Sequence, residues 1–297
     1  MSSVEFQWLY DEPSLKEALQ GSLGSSGQLL KRHYSSRELS RPQLSQELIR
    51  LPIDLVNHLK INPEYEGPSI RILHETEDYI AVHKPSEIHS HPLCYTDKNT
   101  VLNFLASEGH WTALKVNEDH YDRGLLFRLD FETSGVLILA KNETFFHNIR
   151  GDFQRAIKRK LYWAIVEGDF NQEGAWTHYF KATGVKGSKQ KVSSEFLGDS
   201  QEGSMKVKKV LHINGKSLVL VNLQSGLRHQ IRAQLSFLGY PIVGDELYGG
   251  STSARLFLHA WRYEWSEVIE DDEAELFDRF FDLNSALMMS HDMLGII

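Results

Sequence analysis

The chain has 297 residues, 41% of them hydrophobic and 24% charged, with one cysteine, Cys94, and a formal net charge of -8. That length suits one large domain, or one domain with a smaller accessory one. A single cysteine excludes an intramolecular disulfide and a cysteine-based metal site; no apolar run approaches the roughly 18–20 residues of a membrane span; and MSSVEFQWLYDEP lacks the layout of a secretory signal, so a soluble cytoplasmic protein is expected.

Residues 1–68 read as a separate, mainly helical accessory segment, in which Gly21–Gly27 (GSLGSSG) forms a loop. From Ser69 the pattern changes to strands. SIRILHETEDYIAVHKP gives two β-rich runs broken at the polar Glu75–Asp78, and Pro85 ends the second. Ser134–Lys141 (SGVLILAK) is nearly all apolar, as a strand buried on both faces would be. Phe146, Ile149, Phe153, Ala156 and Ile157 recur at helical spacing and predict one helix. Leu161–Gly168 is another strand. In VKKVLHINGKSLVLVNLQSG, Asn214–Gly215 supplies the positive backbone angles of a type I′ hairpin. HQIRAQLSFLG turns helical, with Gly239 as its cap and Pro241 barring continuation.

Leu256–Trp265 reads as the final strand, followed by an acidic, helical tail. From Glu264 to Ile297 ten carboxylates face one base, a local charge of -9, so residues 1–263 sum to +1. Basic residues cluster at Lys158–Lys160, at Lys181, Lys186, Lys189 and Lys191, and at Lys206, Lys208 and Lys209. Patches of this kind, rather than the net sum, decide whether a phosphate backbone is attracted. Strands in hairpins with scattered helices predict an α+β fold with a largely antiparallel or mixed sheet, spanning residues 69–297 with the tail.

Three segments carry candidate chemistry. In FRLDFETSGVLILAK, Asp130 lies just before a loop leading into a buried strand, which would hold a carboxylate firmly. In SGLRHQIRAQLSFLGYPIVGDELYG, His229, Gln230 and Arg232 open a helix, where backbone N–H groups with Arg228 and Arg232 make a place for an anion. In RKLYWAIVEG, Tyr162 stands among bases at a strand start. Each alone has a plainer reading: an aspartate in a surface turn, an exposed amphipathic helix, a tyrosine on a half-buried strand.

Jointly and in this order, these segments resemble the RluA-type family of pseudouridine synthases. Its signature runs HRLD-x-x-TSG, K-x-Y-x-A-x-V-x-G, GR-T-HQIR with GD-x-x-YG, and a closing LHA strand. The matches here are RLDFETSGVLILAK, KLYWAIVEG, GLRHQIRAQLSFLGYPIVGDELYG and LFLHA, with VHKPSEIHSHP upstream. They cover about Ile70 to Trp265. Phe127 stands where the family has His, Leu227–Arg228 where it has Arg-Thr, and Glu87 where it has Gly. These departures spare the matched Asp, Tyr and Arg.

The resemblance implies an isomerase that converts uridine in ribosomal RNA or tRNA to pseudouridine, working as a monomer without cofactor or metal. It implies Asp130 as the catalytic carboxylate, with Arg232 as its ion-pair partner and Tyr162 packing against a flipped base. It further implies Arg128 as the residue that helps extrude the base, Leu258 as part of the pocket wall, and His229 and Gln230 as substrate contacts. Breaking N1–C1′ builds positive charge at C1′, which an ionised carboxylate can stabilise or attack. Two other readings stay open here. LDFETSG also resembles the D-x-D-x-T loop of magnesium-dependent phosphohydrolases on a parallel sheet, and the chain could be a non-catalytic RNA-binding module. His89 and His91 near Cys94 are expected to pack structurally, and Asp271–Glu273 to be a solvated helix face.

Overall fold

This computed structural model of the protein describes residues 3–271, the Lys186 side chain apart. The acidic tail from Asp272 onward, expected to be helical, lies outside the described residues. The chain divides into two compact units, Met1–Gly67 with His91–Arg123, and Pro68–Ser90 with Gly124 onward. The first unit is discontinuous in sequence, since 91–123 groups with the N-terminal part.

The first unit is less purely helical than its composition suggests. β1 (Ser3–Gln7) pairs antiparallel with β2 (Leu48–Pro52), closing a segment that holds α1 (Leu15–Leu23), α2 (Gly27–His33) and α3 (Ser36–Leu39). α4 (Ile53–Val56) follows β2. The expected Gly21–Gly27 loop shrinks to Gly24–Ser26: Gly24 ends α1 in the left-handed region, and the Ser26 hydroxyl accepts from Leu29 N to cap α2. Leu15, Leu19, Leu29, Leu30, Leu39, Ile49, Leu51 and Leu55 form a core of this unit's own. α5 (Val101–Ser107), capped by Thr100, and α6 (Trp111–Lys115) complete it.

The second unit is built on a ten-stranded sheet. In chain order its elements are β3 (Arg71–Glu75), β4 (Tyr79–Lys84), β5 (Ser134–Ala140), α7 (Glu143–Arg150), α8 (Phe153–Ala156), β6 (Arg159–Glu167), β7 (Gly174–Thr183), β8 (Lys189–Ser193), β9 (Gln201–Ile213), β10 (Lys216–Leu223), α9 (Gln230–Phe237), β11 (Leu258–Glu264) and β12 (Val268–Glu270). The strand order is β3-β4-β5-β11-β6-β10-β9-β7-β8, with β12 on β11. β5 runs parallel to β11 and the other described pairings are antiparallel. The fold is therefore α+β on a mixed sheet, and not the parallel sheet that a phosphohydrolase reading needs.

Local chemistry explains most of these elements. All seven residues of β5 are buried, so its apolar run is a central strand covered on both faces. Asn214 (φ 51) and Gly215 (φ 74) make the β9–β10 hairpin turn as their positive angles require. The single helix expected over Phe146–Ile157 is broken at Gly151–Asp152, because the Asp152 carboxylate accepts from Arg155 N and starts α8 afresh. Beyond β11 the chain turns back as β12 instead of entering a helix.

Gly135 decides where β5 can lie. At φ +115, a Cβ there would meet the Ala260 oxygen at 2.2 Å and its nitrogen at 2.6 Å. Only glycine lets β5 approach β11 this closely. That contact places the loop ending at Thr133 against the start of β11.

A carboxylate cluster beside strand β5

Asp130 precedes a turn, Phe131–Glu132, closed by Thr133 N donating to the Asp130 carbonyl at 3.2 Å. The turn is anchored from β4. Lys84 is fully buried, and its Nζ donates to the carbonyls of Pro85 (2.9 Å), Ile88 (2.8 Å) and Phe131 (3.1 Å). Burial pulls the Lys84 ammonium down to about 7, while the charges of Asp130 and Glu132 hold it up. Ser86 Oγ donates to the Glu132 carbonyl at 2.5 Å, and Glu87 N to that of Phe131 at 2.8 Å. The His89 ring lies 4.7 Å from that of Phe131. The carboxylate thus stands on a backbone held at several points.

Arg232 comes from the first turn of α9 and is buried. Its principal partner is Asp245, which it grips in a fork: Nε to Oδ2 and Nη2 to Oδ1, both 2.8 Å. Nη1 points to the β5 loop, 3.0 Å from Glu132 Oε2 and 3.8 Å from Asp130 Oδ2. A simple Arg232–Asp130 pair is therefore replaced by one guanidinium among three carboxylates.

His229 enters α9 in the left-handed conformation (φ 53), which a non-glycine residue adopts at some cost. Its Nδ1 lies 3.1 Å from the Tyr248 hydroxyl and its Nε2 3.9 Å from Asp130 Oδ1. The Arg232 guanidinium lies over the Tyr248 ring, 5.6 Å from its centre. Asp130 keeps 24% of its side-chain surface accessible. Burial nonetheless pushes its carboxyl above the ordinary range, opposed by the charges of His229 and Arg232 and reinforced by Glu132.

Tyr162 is buried on β6, its hydroxyl paired with that of Tyr263. Burial pushes the phenol well above its usual range, opposed by the hydrogen bond with Tyr263 and reinforced by the negative charge of Asp130. Tyr263 in turn stacks on Phe127, with ring centres 4.3 Å apart and planes 9° from parallel. Leu258 lies opposite Ala164 and Tyr162 opposite Ala260, so the two side chains share one face of the sheet. Leu258 is buried.

Of the other sequence candidates, Arg128 is exposed. Arg228 Nη1 donates to the Gly187 carbonyl at 3.0 Å. Gln230 is buried and its amide serves the loop before α9, accepting from Ser225 Oγ and Leu227 N and donating to the Ser204 carbonyl. Among the basic clusters, Lys160 is buried and donates to the Ser225 carbonyl, and burial pulls it down to about 8. Lys181 and Lys209 pair with Asp199 and Asp169. Sequence reasoning passed over Asp245, Tyr248 and Lys84, although all three stand inside matched segments, and weighed Glu132 only as a phosphohydrolase acid.

Asp271, expected on a solvated helix face, is buried. It accepts from His83 Nδ1 at 2.5 Å and Arg71 Nη2 at 2.8 Å, with His259 Nε2 at 3.7 Å. His259 Nδ1 meets Ser134 Oγ at 2.8 Å, and Arg255 donates to that hydroxyl at 2.6 Å. Burial alone would raise Asp271, but the hydrogen bond from His83 and the neighbouring positive charges bring it below the ordinary range.

A profile of the family described as RNA pseudouridylate synthase matches residues 78–237. Ribosomal large subunit pseudouridine synthase D of Borreliella burgdorferi is 33% identical over 201 residues, covering 66% of this chain and 60% of that protein. An uncharacterised RNA pseudouridine synthase of Helicobacter pylori is 32% identical over 219 residues, covering 71% of this chain and 78% of that protein. The match spans about 60% of the length of several such relatives. Among solved structures, human RNA Pseudouridylate Synthase Domain Containing 1 superposes with a TM-score of 0.58 at 22% identity, covering 76% of this chain and 93% of that one.

Proposed function

Since the chain belongs to the RNA pseudouridylate synthase family, we propose that it isomerises particular uridines in ribosomal RNA or tRNA to pseudouridine, with Asp130 as the catalytic carboxylate. The observation that carries this reading is the convergence of Arg232 and His229 on Asp130. The reaction breaks N1–C1′, turns the base and rejoins it through C5, so it consumes no redox cofactor or energy source. Ionised Asp130 stabilises or attacks C1′ as positive charge develops there. The burial that raises its pKa also excludes water, and Arg232 supplies the positive field that keeps the ionised form accessible.

The target base must leave its stack. Tyr162 gives it an aromatic face, a contact worth roughly 1–3 kcal/mol per base. Leu258 walls the same side, and Arg128, an exposed side chain, enters the RNA stack in this reading. His229 orients Asp130, and Gln230 holds the loop that leads into α9. The protein acts as a monomer in the cytoplasm in this reading, and residues 1–67 with 91–123 make an accessory contact. Among the described residues no helix is long and apolar enough to cross a membrane.

Chemical mapping of pseudouridine in ribosomal RNA and tRNA from cells with and without the gene tests the function. A site lost with the gene and restored by the wild-type chain, but not by Asp130→Asn, supports it. An unchanged map, or turnover by Asp130→Asn, overturns it.

A further inference from the structure

Asp130 and Glu132 face the same nitrogen. Arg232 commits Nε and Nη2 to Asp245, which leaves Nη1 for the β5 loop. Glu132 takes it at 3.0 Å while Asp130 stands at 3.8 Å. Arg232 cannot move to serve both, since its side chain is 3% accessible and forked onto Asp245. The backbone of the loop is held by Lys84, Ser86 and Glu87. The Glu132 side chain, 39% accessible, is the adjustable member of the set.

We propose that Glu132 is a positioning residue that shares the fixed Nη1 end of Arg232 with Asp130 and thereby sets the pH at which the Asp130 carboxylate becomes available for chemistry. The proposal rests on the synthase reading for its catalytic meaning, but not for its electrostatics. Two carboxylates on one nitrogen divide its field, and the second negative charge disfavours ionisation of the first. The groups acting on Asp130 are His229, Arg232, Arg228 and Lys84 as cations or potential cations, and Glu132 as the anion beside it. The hydroxyls of Tyr162 and Tyr248 lie within its field. Of these, Glu132 opposes ionisation from the position nearest the shared nitrogen. Removing its charge leaves the field of the fixed Nη1 to Asp130 alone, so ionisation of Asp130 moves to lower pH.

Two measurements on the full chain test this. In the first, the side-chain carboxyl carbon of Asp130 is titrated by NMR without RNA, assigned by its absence in Asp130→Asn. Glu132→Gln should lower its midpoint by roughly half to one pH unit, and Glu132→Asp, which keeps the charge, should leave it near wild type. In the second, kcat/KM for pseudouridine formation is followed against pH on unmodified transcripts of ribosomal RNA and tRNA. The acid limb should shift with the NMR midpoint in Glu132→Gln, giving a several-fold faster variant below the wild-type limb, and should return in Glu132→Asp. A merely structural role would lower turnover equally at every pH. An Asp130 midpoint unmoved in folded Glu132→Gln overturns the proposal. A chain that modifies no transcript defeats the synthase reading, while the RNA-free titration still decides whether Glu132 controls Asp130.

Discussion

Two buried-carboxylate clusters flank the start of β5, and they are built to opposite ends. Asp271 is sealed, with short hydrogen bonds from His83 and Arg71, and its carboxyl lies below the ordinary range. Asp130 keeps part of its surface open, its nearest basic groups, Arg232 and His229, stand at 3.8 and 3.9 Å, and its carboxyl lies above the ordinary range. Short, complete hydrogen bonding spends a carboxylate on holding the fold. Long contacts leave its lone pairs available, which is what the proposed chemistry at C1′ requires. The difference teaches that an arginine nearby does not mark a spent carboxylate: Arg232 is spent on Asp245.

The comparison breaks most sharply at Asp130. Asp130→Asn should cut pseudouridine formation by on the order of 10⁴-fold while circular dichroism and the melting temperature stay near wild type. Asp271→Ala should do the reverse. It leaves His83 and Arg71 without their anion and should cost about 3–5 kcal/mol of stability, read as a lower denaturant midpoint. Its pH dependence has a definite sign. A carboxyl held below its unfolded value contributes stability above that unfolded value, and the contribution is lost as pH falls through the folded value. Acid unfolding below about pH 4 should therefore flatten in Asp271→Asn relative to wild type.

Tyr162→Ala should weaken turnover by the worth of one stacked base, about 1–3 kcal/mol, whereas Tyr162→Phe keeps the ring and loses only the hydroxyl contact with Tyr263, about 1 kcal/mol of stability. The smallest of these effects is expected at Gln230. Gln230→Glu keeps the oxygen that accepts from Ser225 and Leu227 but loses the donation to the Ser204 carbonyl, and should slow turnover modestly with a matching fall in melting temperature that a substrate contact would not produce.

The elements of the second unit were largely legible along the chain because their causes are local. An unbroken apolar run makes β5, and Asn214–Gly215 makes the hairpin. The break between α7 and α8 was missed because hydrophobic spacing continues across it while one Asp152 cap ends it. The small sheet of the first unit was missed because β1 and β2 lie more than forty positions apart and their pairing has no local signature.

By itself the sequence determined the ordered motifs that single out Asp130, Tyr162 and Arg232 as candidates, and the strand and helix starts that carry them. Only the tertiary structure decided their electrostatic roles. Which carboxylate a guanidinium grips depends on distances between residues 13 and 100 positions apart, as for Arg232 with Asp245 and Glu132. Whether an aspartate in an acidic run is solvated or sealed depends on strands folding over it, as they do over Asp271. Charge interactions fall steeply with separation and rise as water is excluded, and both quantities are properties of the folded chain.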